Sequence, residues 1–341
     1  MKGNHAVVEG AIQAGCKYFF GYPITPQNEV PEYMSVRMPQ AGGKFVQAES
    51  EVSAINMVLG AAASGARVIT SSSGPGIDLK WEGIGNLAAH RLPCVIVDVA
   101  RGGPGNGALH PAQTDLANVT WGRGDLRLIV LAPWSVQEMM DHTRLAFELA
   151  DRYRNPVMVL SDAVIGQMSE AISLSEDPID EAPEKPWALT GAKGRPRNLS
   201  IAHFPDHDVY NKFHEDLKAT YEEAAIAEQR WEEYDTADAD VVLIAYGISA
   251  RVCRAAVRQL RQENLKVGLL RPITLTSLPK STLEEMQARG TRFLVVEMSA
   301  GQLTRELRLL LPTAEFPFKP GSARAVQPRV WEVVEWAKQL L

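Results

Sequence analysis

The chain has 341 residues, of which 45% are hydrophobic and 22% charged, and its formal net charge is −6. This length accommodates about two domains, and the composition is that of an ordinary globular protein, which excludes a disordered, collagen-like or coiled-coil chain. The negative charge argues against nucleic acid as the main partner.

The sequence lacks the features of a membrane-spanning, secreted or metal-binding chain. No apolar run reaches the ~18–20 residues that cross a bilayer, and the first residues, Met1–His5, lack the apolar core of a secretion signal. Cys16, Cys94 and Cys253 are far apart and form no CxxC motif. We therefore expect a cytoplasmic protein without a membrane span, and no zinc or iron–sulfur site in this chain.

The first half of the chain alternates short β-rich runs with helical periodicity. The predicted strands are Tyr18–Phe20, Phe45–Val46, Val68–Thr70, Cys94–Val99, Leu128–Leu131 and Val157–Leu160. The predicted helices are one capped by Asn4 that ends near Gly15, and then Gln27–Met38, Val52–Ala63, Leu79–His90 and Ser135–Tyr153. Such fully apolar strands are typical of a parallel sheet buried on both faces. Residues 1–165 are therefore predicted to form a doubly wound α/β domain.

Residues 166–236 differ in composition and are predicted to form a connector. Ser175–Pro186 is acidic and rich in proline, Gly191–Pro196 is basic and rich in glycine, and no strand pattern is visible. A helical stretch, Val209–Tyr234, carries glutamates on a face that we expect to be solvated: Glu222, Glu223, Glu228, Glu232 and Glu233. A linker without a function of its own is the simpler interpretation of this region.

The β/α rhythm returns in residues 237–341. The predicted strands are Val241–Ala245, Val267–Leu270 and Phe293–Glu297, and the predicted helices are Ser249–Glu263, Pro279–Arg289, Gln302–Leu311 and Val330–Leu341. These elements predict a second, smaller α/β domain.

Four loops of the first domain each follow a predicted strand. They are Gly21–Pro26, Gln47–Glu51, Ser71–Gly76 and Arg101–Gly107. Ligands of open α/β sheets bind at the carboxyl ends of strands, so the position alone makes these loops candidates for a site. Ser71–Gly76 lets backbone approach a ligand but is not a Walker loop, since no Gly-Lys-Ser/Thr follows.

Three side chains in these loops could carry chemistry, and each has a structural alternative. Thr25 stands on a loop stiffened by prolines and could orient a substrate, or it could cap the next helix. Glu49 lies at a helix N-terminus, where an acidic residue normally interacts with the dipole, as Glu51 would also do. Arg101 could bind a carboxylate with two hydrogen bonds, or it could form a surface salt bridge.

Taken together, the loops resemble a known family. The order of Glu49, a helix of small residues, a strand and Ser-Gly-Pro-Gly is similar to the pyrimidine-binding domain of thiamine diphosphate enzymes. Gly21–Pro26, Gln47–Glu51, Ser73–Gly76 and Arg101–Gly105 look like the alpha-type subunit of 2-oxoacid:ferredoxin oxidoreductases. Met1–Asn4 and Pro186–Ala192 bring the chain closest to the branched-chain (2-oxoisovalerate) type. The resemblance covers nearly the whole chain, and the second domain then matches the family's transketolase C-terminal-like domain.

The resemblance implies roles for individual residues. Glu49 would hydrogen-bond N1′ of the aminopyrimidine of thiamine diphosphate and so promote loss of the thiazolium C2 proton; a setting of small apolar residues would raise its pKa for that role. Arg101 would contact the substrate carboxylate, and Thr25 would lie near that carboxylate and the carbonyl. The four other cofactor contacts implied are Pro23, Ile24, Ser73 and Gly74. No metal ligand is implied in this chain.

The family's reaction needs parts that this sequence lacks. The diphosphate–Mg²⁺ site uses Gly-Asp-Gly, which is absent, because Gly124-Asp125 is followed by Leu126. The resemblance therefore implies an obligate hetero-oligomer, in which one partner binds the diphosphate–Mg²⁺ end of the shared thiamine diphosphate. A ferredoxin-like subunit with [4Fe-4S] clusters and a gamma-type subunit would complete it, with coenzyme A as co-substrate and ferredoxin or NAD as acceptor.

The substrate and the class of activity have alternatives. The resemblance implies a branched-chain 2-oxoacid, but Asp78 and Trp81 depart from the branched-chain type. The extra aromatic area could favour an aryl 2-oxoacid such as phenylglyoxylate, and ordinary drift in a surface loop is the alternative explanation. A transketolase-like half-enzyme would need histidines for sugar phosphates, for which His90 and His110 are the candidates. A non-catalytic scaffold subunit would have no use for Thr25, Glu49 and Arg101 together.

Overall fold

The computed structural model describes residues 1–174, 182–320 and 327–341. The first residues of the predicted acidic stretch Ser175–Pro186, namely 175–181, lie outside the described residues. The described chain contains two sheets, each covered by helices, as the sequence predicts.

The first sheet has seven strands among the described residues, and all but one of them are parallel. Its strands are β1 (Tyr18–Gly21), β2 (Lys44–Gln47), β3 (Val68–Ser72), β4 (Cys94–Gly102), β5 (Ala108–Pro111), β6 (Ile129–Leu131) and β7 (Pro156–Asp162). The order is β2-β1-β3-β4-β7-β6, and every neighbouring pair in it is parallel. Strand β5, which the sequence did not predict, pairs antiparallel with the end of β4.

Helices cover both faces of this sheet. They are α1 (Gly3–Gln13), α2 (Glu29–Gln40), α3 (Glu51–Ala63), α4 (Pro75–Ala89), α5 (Leu116–Trp121), α6 (Val136–Tyr153) and α7 (Ala163–Gln167). Alternate residues of β4 enter two different cores: Ile96 packs with α3 and α4, and Val97 packs with α1, α2 and α6. A strand that is buried on both faces has no polar face, which is why these strands appear in the sequence as continuous apolar runs.

The first helix begins differently from the expectation. Asn4 does not cap α1; it lies inside the helix, fully buried, and its Nδ2 donates to Pro26 O and to Glu29 Oε2, both at 2.9 Å. The side chain therefore ties the first helix to the loop that follows β1. The sequence does not determine the role of an asparagine near the start of a helix, because its side-chain amide can either cap that helix or hydrogen-bond to another segment.

The predicted connector contains a strand. The helix expected over Val209–Tyr234 is α8 (His207–Ala227), and Trp231–Tyr234 is strand β8, so the expectation of an unbroken helix without a strand was wrong. Glu228 is not solvated but 1% exposed, and it forms ion pairs with Arg152 and Arg230.

The second sheet has five strands. Besides β8 they are β9 (Val241–Ile244), β10 (Val267–Pro272), β11 (Arg292–Glu297) and β12 (Phe318–Pro320), in the order β12-β11-β9-β10-β8, with β8 antiparallel to β10. The helices are α9 (Gly247–Gln262), α10 (Lys280–Ala288), α11 (Gln302–Leu310) and α12 (Val330–Lys338). The fold class, a doubly wound α/β domain followed by a smaller α/β domain, is confirmed.

Hydrogen bonds join the two sheets directly. Ala132 N donates to Ile273 O at 2.8 Å, and Leu275 N donates to Val130 O at 2.9 Å. Gln113, which is 2% exposed, donates from Nε2 to Tyr246 O at 2.9 Å. Because these donors and acceptors are buried, the second domain is held in a defined orientation against the first.

No helix of the described chain is both long enough and apolar enough to cross a membrane.

Candidate active site

All four candidate loops lie at one edge of the first sheet. Strands β1, β2, β3 and β4 are parallel and end at Gly21, Gln47, Ser72 and Gly102. Their carboxyl ends meet at the same edge, so the loops that follow them surround one region, as the position of the motifs predicts.

Thr25 and Arg101 are in direct contact. Arg101 is 7% exposed, and its Nη1 donates to Thr25 O at 2.9 Å. Its Nε is buried with no hydrogen-bond partner among the described residues. The arginine therefore forms no surface salt bridge with them; instead it is a desolvated cation with a free donor, which is a fit for an incoming carboxylate.

Thr25 is not a helix cap. Helix α2 begins after Asn28, and Asn28 Nδ2 donates to Thr25 Oγ1 at 3.2 Å. The threonine hydroxyl keeps its own proton free to donate, and its backbone carbonyl orients Arg101.

Glu49 and Glu51 differ in environment although they are two residues apart. The N-cap of α3 is Ser50, whose Oγ accepts from Ser53 N at 3.1 Å. Glu49 is exposed and accepts from Ser53 Oγ at 3.0 Å, whereas Glu51 is 6% exposed. The apolar setting expected around Glu49 is thus not supplied by the described part of this chain.

The loop after β3 turns sharply into α4. Gly74 has φ 38° and ψ −106°, which favours glycine, and a Cβ there would lie 3.8 Å from both Arg101 Cγ and Asp115 Oδ2. A Cβ on Gly76 would lie 2.2 Å from Ser72 Oγ, so no larger residue fits. Ser73 Oγ and Ser72 Oγ are buried without hydrogen-bond partners in the described chain, which leaves two hydroxyls able to bind a ligand.

A buried lysine, which no sequence pattern indicated, lies behind this loop. Lys80 is 0% exposed, and its Nζ donates to Thr70 Oγ1 and to Ser71 O, both at 2.9 Å. Burial lowers the pKa of Lys80 to about 7, against the opposing influence of the Glu51 and Asp98 carboxylates.

Two buried aspartates lie beneath Gly74 and were also missed. Asp98 is 0% exposed, and neither of its carboxyl oxygens, nor Asp115 Oδ2, has a hydrogen-bond partner among the described residues. Burial and then the charge of Asp115 raise the pKa of Asp98, while burial and then Asp78 raise the pKa of Asp115 to about 6. A carboxyl group in the middle of an apolar strand, as in Val97-Asp98-Val99, was the available signal.

Pro23 and Ile24 form the outer part of the first loop, with Pro23 exposed and Ile24 half-buried. They border the same region as Thr25. Four polar groups lie at this edge of the sheet. The hydroxyls of Ser72 and Ser73 and the Nε of Arg101 are buried, and the carboxylate of Glu49 is exposed. These donors and acceptors fit a polar heteroaromatic ring and a carboxylate, which are the groups that thiamine diphosphate and a 2-oxoacid would present.

The fold, a doubly wound domain followed by a smaller α/β domain, is also found in a chain of low sequence identity. The chain of an inactive split-gene transketolase tetramer has the same fold, with a TM-score of 0.64 at 13% identity over 99% of this chain and 96% of that chain.

Comparison of sequences places the chain more narrowly. Residues 9–233 match the family described as pyruvate flavodoxin/ferredoxin oxidoreductase, thiamine diphosphate-binding, and residues 239–319 match pyruvate:ferredoxin oxidoreductase core domain II. The ketoisovalerate oxidoreductase subunit VorB of Methanothermobacter thermautotrophicus is 51% identical over 91% of this chain and 88% of its own. The 2-oxoglutarate synthase subunit KorA of Methanocaldococcus jannaschii is 35% identical over 92% of each chain. The chain therefore belongs to the 2-oxoacid:ferredoxin oxidoreductase family, as a subunit of the alpha type, and the resemblance of its motifs is confirmed.

A solved relative agrees in fold. The 2-oxoglutarate:ferredoxin oxidoreductase of Magnetococcus marinus, with 2-oxoglutarate, coenzyme A and succinyl-CoA bound, superposes with a TM-score of 0.86 at 28% identity. The match covers 100% of this chain and 64% of that one, so the present chain is shorter than that relative by about a third.

Proposed function

We propose that this chain is the alpha-type subunit of a 2-oxoacid:ferredoxin oxidoreductase that acts on branched-chain 2-oxoacids such as 2-oxoisovalerate. The reaction is oxidative decarboxylation of the 2-oxoacid with coenzyme A to the acyl-CoA and CO₂, with electrons passed to iron–sulfur clusters on partner subunits. We place it in the cytoplasm.

The contact between Arg101 and Thr25 carries this proposal. Every 2-oxoacid has a carboxylate next to a carbonyl. The guanidinium of Arg101 is buried and oriented by Thr25 O, and its Nε has no acceptor among the described residues. A buried cation of this kind binds a carboxylate more strongly than an exposed one because water does not screen the pair. The Thr25 hydroxyl, on the same loop, can donate to the carboxylate or the adjacent carbonyl.

The other site residues would hold the cofactor. When bound, thiamine diphosphate supplies the electron sink that makes decarboxylation possible. Glu49 would hold a proton at N1′ of the aminopyrimidine, and Ser73, Gly74, Pro23 and Ile24 would line its ring.

A partner chain is needed to enclose that cofactor. Glu49 is exposed in this chain, so the water-excluding surroundings that its role requires have to come from another subunit. That subunit would also bind the diphosphate and Mg²⁺, and ferredoxin-like [4Fe-4S] and gamma-type subunits would complete the hetero-oligomer, with ferredoxin or NAD as acceptor.

The exposed side of α3 and α4 is where we expect the cofactor-sharing partner. It presents three exposed apolar side chains next to the site, Val52, Met57 and Leu79, which are 46%, 39% and 55% exposed. Gly60 and Gly85 lie inside these helices, and a Cβ on either would have no neighbouring atom within 4 Å among the described residues. Glycine inside a helix lowers the stability of the helix, and these two glycines are not needed for packing within the described chain. They are explained if the backbone of another chain packs closely against this face.

The aryl substrate is less well supported. The Trp81 ring lies 3.1 Å from the position of a Cβ on Gly122, so the extra aromatic area packs α4 against the end of α5 rather than widening a substrate pocket.

The test is the activity of the assembled complex. Under anaerobic conditions, we expect CO₂ release and isobutyryl-CoA formation from 2-oxoisovalerate and coenzyme A, with reduction of ferredoxin. Phenylglyoxylate and 2-oxoglutarate should be poorer substrates. Acyl-CoA formation with none of the three substrates would contradict the proposal, and turnover of sugar phosphates would favour the transketolase alternative.

A Glu49→Gln variant distinguishes the catalytic subunit from a scaffold. We expect a loss of activity of about 10²–10⁴-fold, because the amide cannot exchange a proton with N1′. Glu222→Gln, on the exposed side of α8, is the matched control and should leave activity unchanged. Full activity of the Glu49→Gln complex would establish the scaffold alternative instead.

A further inference from the structure

Two arginines meet at the edge of the first sheet that is opposite to the site. Arg91 precedes β4 and Arg154 precedes β7, so both lie at the amino ends of parallel strands. Arg101 is near the other end of β4, and the length of the strand, at about 3.3 Å per residue, separates it from the pair by about 25 Å. The pair therefore belongs to a separate place in the fold.

The side chain of Arg154 contacts the backbone of Arg91, and the two cations interact without a carboxylate partner among the described residues. Arg154 Nε donates to Arg91 O at 3.3 Å, and Arg91 Nη2 donates to Thr220 Oγ1 at 3.0 Å. Within the described ranges neither arginine forms an ion pair, and both terminal nitrogens of Arg154 lack an acceptor. Burial and the adjacent Arg91 cation lower the pKa of Arg154. Two like charges that are partly removed from water repel each other, and a bound anion would offset this cost.

The arginines open into a small cavity with an apolar wall. The cavity measures about 170 Å³, and its polar lining residues include His90, Arg91 and Arg154. Its apolar lining residues include Leu189, Leu199, Ile201, Phe204 and Phe213. Leu199 and Ile201 are 61% and 56% exposed, which is unusual for large apolar side chains beside an open cavity. A volume of ~150 Å³ holds a molecule the size of benzene, so this cavity is matched to a small organic ligand and not to a nucleotide.

Aromatic groups fix the geometry of this crevice. The Arg154 guanidinium stacks over Trp187 at 4.5 Å from the ring centre, and Phe204 stacks on Phe213 at 4.6 Å between centres. His90 Nδ1 is 2.9 Å from Ser200 Oγ, which leaves Nε2 of the ring as a further polar group. Arg154 is thus held in place before any ligand arrives.

We propose that this crevice, lined by His90, Arg91, Arg154, Leu199, Ile201 and Phe204, binds a short-chain carboxylate. The carboxylate oxygens accept hydrogen bonds from Arg154 and Arg91, and the aliphatic group packs against Leu199, Ile201 and Phe204. The ligand class follows from the combination of two arginines that lack a carboxylate partner in the described chain with an apolar wall. Inorganic phosphate would make no contact with the apolar wall, and a neutral molecule would leave the two arginines without an anionic partner. The proposal does not depend on the activity proposed above.

The test is calorimetric titration of isovalerate into the chain purified with its accompanying subunits. An Arg101→Gln background is used so that binding at the other carboxylate site does not contribute. We expect one binding event per chain, weakened at least tenfold by Arg154→Gln and by Arg91→Gln. Arg289→Gln, a surface change in the second domain, is the control and should bind isovalerate as the background does. Absence of binding in the background, or unchanged binding by Arg154→Gln, would overturn the proposal.

Further probes test each half of the site. Arg154→Lys retains the charge and should recover part of the affinity, and Ile201→Asn should weaken isovalerate more than acetate. Isobutanol, which has the apolar group without the charge, should not bind. Inorganic phosphate that binds as tightly as isovalerate would overturn the assignment to a carboxylate. Circular dichroism of each variant establishes that it is folded. If Arg154→Gln is not folded, the proposal is tested by Ile201→Asn, and unchanged binding of isovalerate by that variant would overturn it.

Discussion

Arg101 combines burial with an unused donor, and this combination makes a quantitative prediction. Substituting Arg101→Ala removes a desolvated contact to the substrate carboxylate, which is worth about 2–4 kcal/mol, or roughly 30–1,000-fold. We expect this loss mainly in KM for the 2-oxoacid, with little change in the affinity for thiamine diphosphate, because the proposed role of Arg101 is to position the substrate. Steady-state kinetics with 2-oxoisovalerate and a separate thiamine diphosphate titration measure the two effects. An unchanged KM would place the carboxylate elsewhere.

Asp98 and Asp115 predict a pH dependence of stability. The pKa of Asp115 is raised from 3.8 to about 6, so between these values the folded chain binds more protons than the unfolded one. The resulting stabilisation is complete below pH ~4 and is lost as the pH rises through ~6. At pH 8 the buried carboxyl group of Asp115 is ionised beside Asp98, at a cost to stability.

Asp115→Asn should remove this cost. The amide is isosteric and can donate to Asp98, so we expect the free energy of unfolding at pH 8 to rise by about 1–3 kcal/mol, with little difference from the natural chain at pH 4. Denaturant unfolding across pH 4–8 measures it. If the free energy of unfolding of the variant depends on pH in the same way as that of the natural chain, groups other than Asp115 cause the dependence.

Helix α3 has a glycine that its own packing does not require. Gly60 lies in the helix interior with open space beyond it, and Gly60→Gln should improve helix propensity by up to ~1 kcal/mol. If the partner packs on this face as proposed, the same substitution should weaken assembly at least tenfold, measured by native mass spectrometry of the co-expressed subunits. Ala219→Gln on the exposed side of α8 is the control for adding a glutamine to a helix surface. An intact complex with Gly60→Gln would show that the face is solvated.

Long buried elements were predictable, and short or half-solvated ones were not. β4 and α6 have continuous apolar runs or a strong helical period, so their positions follow from the sequence. α5 and α7 have six and five residues, too few for a period to show. β8 is a partly exposed edge strand, and its sequence Trp-Glu-Glu-Tyr has the same polar character as the end of the charged helix before it.

The candidate site was predictable in part. The sequence placed Thr25 and Arg101 in separate loops, and the parallel order of β1, β3 and β4 brings them into contact. The surroundings of Glu49 could not be obtained in this way, because Glu49 is exposed in this chain and the partner surface proposed to cover it is not encoded in this sequence. Lys80 was missed because a single lysine in a helix carries no sign of its burial, and Asp98 was missed because its one signal, a carboxyl group inside an apolar strand, was not used.

For the molecule as a whole, Gln113 is a polar link between the domains. Its Oε1 accepts from Ser249 Oγ at 2.9 Å and from Met298 N at 2.8 Å, in addition to its donation to Tyr246 O. Gln113→Ala leaves buried backbone groups unpaired, at about 1–3 kcal/mol each. We expect the free energy of unfolding to fall by about 2–4 kcal/mol in denaturant titrations, whereas exposed Gln262→Ala should change it little. Equal stability of the two variants would mean that water replaces the lost contacts.

The hairpin of β4 and β5 connects Arg101 to the polar link between the two domains. Arg101 pairs with Pro111 across this hairpin, and Gln113 follows two residues later. Arg101 and Gln113, the polar link to the second domain, are thus connected by one short hairpin. If Arg101 binds the 2-oxoacid as proposed, we expect a change in the angle between the domains to move this hairpin and with it the Arg101 guanidinium. A substitution at Gln113 is then expected to change the affinity for the 2-oxoacid, although Gln113 does not contact it.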